Sequence, residues 1–93
     1  MLKQELRNLK AQLESLASAD PDVAPDNLNE LAYAFRDERL ELIRHCEGKI
    51  PNTLLKELLQ MDYRLDLANS GQGSWRNVPP RAQRALGVLR ELV

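Results

Sequence analysis

Cysteine and histidine each occur once in these 93 residues, and the aromatic side chains are Tyr33, Phe35, Tyr63 and Trp75 alone. A lone cysteine excludes an internal disulfide, so no covalent staple supports a chain close to the size at which a core becomes marginal. Together with the lack of a secretory leader, this fits a reducing cytoplasm. A lone histidine leaves no zinc cluster and no carboxylate–histidine helix pair for a metal. No apolar run approaches the roughly 20 residues that span a bilayer. The scarcity of aromatic, isoleucine and valine residues argues against a sheet.

Catalytic groupings are equally sparse. No serine stands in a nucleophile motif, and Gly71-Gln72-Gly73 lacks the lysine of a phosphate-cradling loop. His45 and Cys46 are adjacent, so on a helix their side chains diverge by about 100° and form no nucleophile–base pair. Asp62 and Asp66 share a helix side at i, i+4 without a histidine to complete a metal site. The expectation is therefore no enzyme, no cofactor, no metal and no small-molecule substrate.

What is present is leucine at helical spacing. The run from Asn27 to Glu47 carries no Gly or Pro. Leu28, Leu31, Ala32, Phe35, Leu42, Ile43 and Cys46 fall within about 60° of one line at about 100° per residue. At the middle of that line stands Arg39. Ahead of it, Leu2, Leu6, Leu9, Leu13 and Leu16 alternate four and three apart, an a/d seam over about two heptads. Such a short helix must lie against something, either its own bundle or a partner's seam.

Pro21 and Pro25 mark a connector. Asn27 is positioned to cap the second helix, Gly48 to close it in the left-handed conformation, and Pro51 to open the third. In the third, Leu54, Leu55, Leu58, Leu59, Met61, Leu65 and Ala68 make a broad apolar band with Asp62 near its middle. Residues 69–74 are a Gly/Ser-containing loop. After Pro79-Pro80, Ala82, Ala85, Leu86, Leu89 and Val93 share a face, and Gly87 permits a close approach. These patterns predict one all-α domain over 1–93, a compact bundle with helices near 2–17, 27–47, 51–68 and 80–92, joined by short connectors and one longer loop.

Two charged features invite interpretation. Arg39 and Asp62 each interrupt an apolar stripe, and two readings stay open: a structural ion pair, or two side chains reaching water separately. From Asp26 to Glu47 acids outnumber arginines, whereas Arg76, Arg81, Arg84 and Arg90 follow Asn69 with Glu91 as the only acid. Either the two parts attract each other within the fold or lie on different solvated faces, or the basic end meets a partner. Arg81 opposes the dipole at a helix start, so an acid is expected near it, with the second helix's Glu38 and Glu41, or an acidic protein partner, as candidates.

The functional expectation is a cytoplasmic protein–protein interaction module: an adaptor, chaperone-like subunit or inhibitor. Its candidate contacts are Leu6, Leu9 and Leu13 on the seam, with Trp75, Arg76 and Arg81 forming a second surface; Trp75, the residue of its region least suited to water, has the other reading of a cap on one end of the core. The partner is another protein or a second copy of this chain, with no membrane involved. The alternative is a DNA-binding regulator touching phosphates through Arg76, Arg81 and Arg84.

Overall fold

A computed structural model describes residues 2–46 and 48–91, without the side chains of Leu2 and Cys46. The expectations for those two side chains, for Glu47 and for Val93 therefore lie outside the described residues. The remainder forms four α-helices, with no strand: α1 (Leu2–Ala17), α2 (Leu28–Cys46), α3 (Asn52–Ser70) and α4 (Val78–Arg90). The long axis is 34 Å, enough for a 19-residue helix of about 28 Å. No described helix is long and apolar enough to cross a membrane.

The helices form a ring in which each packs on two neighbours, α1 on α2 and α4, and α3 on α2 and α4. Among the described residues the diagonal pairs do not approach. Adjacent helices run antiparallel: Asn69 at the end of α3 donates to Asn29 at the start of α2, at 3.0 Å. Near the start of α4, Gln83 donates to the Ala17 carbonyl at the end of α1, at 3.3 Å. This is an up-and-down bundle, as short connections between helices favour.

Its core is the set of inward stripes. Leu6, Leu9, Leu13 and Leu16 of α1 meet Phe35 and Leu42 of α2, Leu54, Leu58, Met61 and Leu65 of α3, and Val78, Ala82, Ala85, Leu86 and Leu89 of α4. Each large side chain so buried contributes about 1.5–3 kcal/mol. That driving force holds α1, too short to persist alone.

Connector geometry explains where the observed bounds differ from expectation. At the start of α2, the Leu31 amide bonds the Asn27 carbonyl at 3.0 Å. Gly48 adopts φ 81° after α2, as expected of a left-handed closure. The third helix runs on to Ser70 because the left-handed residue that ends it is Gly71. The fourth begins at Val78, since prolines are tolerated in a first turn and a 3-10 turn, Trp75–Asn77, feeds directly into it. Gly73 meets a real steric demand: a Cβ there would stand 2.8 Å from Leu67 Cβ. Gly87 does not, because nothing lies within 4 Å of its absent Cβ, so the expected close approach is absent.

Candidate functional site

The leucine seam faces inward. Leu9 and Leu13 are fully buried and Leu6 is 8% exposed. The bundle's own helices cover the stripe, and this corrects the reading of Leu6, Leu9 and Leu13 as a docking surface. Trp75 is also withdrawn from solvent: its ring is buried. Its indole N–H donates to the Asp20 carbonyl at 2.8 Å, tying the connector after α1 to the base of α4. It closes one end of the core and is not an exposed anchor. Arg76 is exposed and turns to Asp22, 3.2 Å away.

Between α2 and α3, Arg39 and Asp62 meet. The guanidinium Nη2 donates to Asp62 Oδ2 at 3.0 Å, with the two side chains 12% and 17% exposed. Arg36 Nε lies 4.0 Å from the same oxygen. A short antiparallel link puts the two breaks in the apolar stripes opposite one another, and each charge lessens the other's burial cost. Outside the pair, a hollow of about 50 Å³ is lined by Ala32, Tyr33, Arg36, Asp62, Asp66 and Asn69.

This face carries an unexpected set of side chains. Tyr33 and Leu40 of α2, and Leu59 and Tyr63 of α3, are each about half exposed. Tyr33 and Leu40 lie about 100–120° round α2 from Arg39, on the side away from Phe35 and Leu42. Leu59 and Tyr63 lie about 60–100° round α3 from Asp62, again away from the core. In the antiparallel register set by the ion pair both sets point away from the core on the α2/α3 side, and of the four Tyr33 lines the hollow beside the ion pair. The sequence signal was there in Leu40 and Tyr63, apolar or aromatic positions outside the stripes, and in Leu59 at the edge of its band. A second recess of about 290 Å³, between α1 and α2, is lined by Ala11, Gln12, Ser15 and Leu16 of α1 and by Leu31, Ala34 and Phe35 of α2. None of the exposed large apolar residues lines it.

The third surface lies between α3 and α4. Arg64, Asn77, Pro80, Arg81 and Arg84 line an open groove of about 480 Å³. Arg84 Nε pairs with Glu57 Oε1 at 3.1 Å, and the Glu57 side chain is only 14% exposed. Of the three arginines read as a nucleic-acid contact, Arg81 and Arg84 share this groove, while Arg76 pairs with Asp22. Arg64 joins them from α3, where sequence phase alone marks it as an ordinary polar-side residue. The acids of α2 do not reach Arg81, because α2 and α4 are diagonal in the ring. Glu38 faces α1 instead, and its carboxyl is raised above the ordinary range by burial first, then by the charges of Glu5 and Glu41. No described ion pair links 26–46 to 69–91, so of the two structural readings the structure has the segments on different faces and not attracting each other.

His45 Nε2 lies 2.9 Å from Glu41 Oε2 on the solvated side of α2, remote in register from the aspartates of α3. Among the described residues no three His, Cys, Asp or Glu side chains gather where an ion would be held. No protein-family model, curated protein or solved structure matches this chain.

Proposed function

We propose that this chain is a cytoplasmic protein-binding module without catalytic activity, of the adaptor, chaperone-subunit or inhibitor kind, and that it docks through the outer α2/α3 face. One observation carries the reading. Four of the five large apolar side chains left exposed among the described residues, Tyr33, Leu40, Leu59 and Tyr63, belong to this face. Scattered exposed apolar residues need no explanation, but a grouped set that includes two tyrosines is a recognition feature.

The occupant that fits is an amphipathic helix of another protein. Two antiparallel helices present a groove along their common axis. Tyr33 and Leu40 are spaced by two helical turns, about 10.5 Å, which is the repeat of an i, i+7 apolar stripe on a docked helix. Beneath them the Arg39–Asp62 bond locks the separation and register of the groove walls, so little ordering is left for binding to impose.

The test is recovery of partners from the source cells with the native chain and with a Leu40→Asp/Leu59→Asp variant. Both positions are exposed, so helicity and melting temperature are expected to stay unchanged while a partner is lost. Retention of every partner by the variant would reject this face. Sedimentation of the purified chain distinguishes a second copy from a different protein.

A further inference from the structure

We propose that the groove between α3 and α4 is a binding site for a phosphate monoester, gripped by Arg64, Arg81 and Arg84. The proposal concerns the opposite flank of α3 and does not depend on the docking face.

The groove carries unanswered positive charge. Three guanidinium groups line it, and one of them, Arg84, pairs through Nε with Glu57, whose Oε2 is buried without a hydrogen-bond partner. Arg64 and Arg81 have no acid within ion-pair distance among the described residues. Arg64 Nε is buried with no hydrogen-bond partner, an expensive condition for a donor on a charged group. Arg81 stands in the first turn of α4, where the helix dipole already places positive charge. An anion between the outer ends of Arg64 and Arg81 answers their two unpaired charges; Arg64 Nε itself is enclosed by protein, as Arg39 Nε is elsewhere in the fold, and lies out of its reach.

Its chemistry follows from charge and donor geometry. The cations exceed the carboxylate by two, and a phosphate monoester carries about −1.5 to −2 at neutral pH. Arginine forks match phosphate oxygens in pairs. The backbone adds little, because Pro79 and Pro80 have no N–H and the Val78 amide is engaged with the Trp75 carbonyl. Recognition therefore rests on side chains. A nucleic-acid backbone fits less well: its singly charged diesters recur along a strand and are met by rows of cations. Here the arginines form one cluster, and Arg76 is turned aside to Asp22.

The experiment is calorimetric titration and thermal shift on the intact chain, with inorganic phosphate and phenyl phosphate as probes. Dimethyl phosphate, a single-stranded oligonucleotide and sodium chloride at matched ionic strength are the comparisons. Phenyl phosphate is expected to bind and raise the melting temperature. Affinity should fall as pH drops through the monoester's second ionisation near about 6. Arg81→Gln should weaken binding at least tenfold, and Arg76→Gln should leave it unchanged. Arg64→Gln should act like Arg81→Gln; if loss of its partly buried stem unfolds the chain, the Arg81 variant carries the test. A phosphoserine peptide and a sugar phosphate, titrated in parallel, separate a modified protein from a phosphorylated small molecule as the source. Three results would overturn the site: no effect beyond matched salt, a diester or oligonucleotide binding as tightly as the monoester, or equal sensitivity to Arg76→Gln.

Discussion

Replacing Asp62 by alanine leaves the Arg39 guanidinium, 12% exposed, without its carboxylate, although Arg39 Nε is already buried and unpartnered. Stripping one partner from a fully buried pair costs about 3–5 kcal/mol. The residual exposure and the flexible stem relieve part of this, so about 2–3 kcal/mol is expected. The reverse change is milder. Arg39→Met keeps much of the stem's packing, and it leaves Asp62 with Arg36 Nε, 4.0 Å away and on a half-exposed side chain free to close in. About 1 kcal/mol is expected there, the size of one ordinary hydrogen bond. Replacing both, as Arg39→Met/Asp62→Leu, removes charge and countercharge together and should be nearly neutral. A domain of this length has roughly 5–14 kcal/mol in total, so Asp62→Ala alone should lower the melting temperature by about 10–20 °C. Urea unfolding followed by circular dichroism measures all four corners of the cycle. Equal costs for the two single changes would refute the reasoning, as would a double variant no better than Asp62→Ala.

Further outcomes follow from burial, glycine geometry and charge. Leu9→Ala removes a fully buried side chain and should cost about 2–5 kcal/mol. Its melting temperature should be independent of protein concentration, whereas a seam shared between copies would make it rise with concentration. Gly87→Ala adds a methyl group to open space within α4 and should stabilise by about 0.5–1 kcal/mol in the same urea assay. Glu38 holds its proton in the folded state at pH values where the unfolded chain has released it. Its contribution to stability therefore falls as pH rises from the ordinary carboxylate value through the raised one. Glu38→Gln should flatten that decline and be more stable than the native chain at neutral pH; a less stable variant there would contradict this sign.

Much of the architecture was legible because helix periodicity and core formation are the same fact read twice. The four-and-three spacing of Leu6, Leu9, Leu13 and Leu16 marks the buried stripe of α1 directly. Arg39 and Asp62 were visible as interruptions, and the tight link through Gly48 and Pro51 made their meeting a geometric option. What periodicity does not contain is which polar flank faces which neighbour. Arg64 has the phase of any solvated residue on α3; only the packing of α4 beside it turns that position into a groove wall. Trp75 was recognised as a residue unsuited to water, but its acceptor, the Asp20 carbonyl, is 55 residues away in sequence. The exposed apolar set on α2 and α3 was missed because Leu40 and Tyr63 sit off the stripes, and Leu59 was absorbed into an over-broad band. Apolar residues outside a stripe carry the message there, and a search for the stripe discards them.

Site-specific photo-crosslinking within the source cells tests the docking face most directly, with a benzophenone side chain at position 63 and a control at position 83 on α4. The account predicts a discrete protein adduct from position 63 that disappears in the Leu40→Asp/Leu59→Asp background, with no such adduct from position 83. An adduct from 63 that survives those two charges, or equal labelling from both positions, would contradict it.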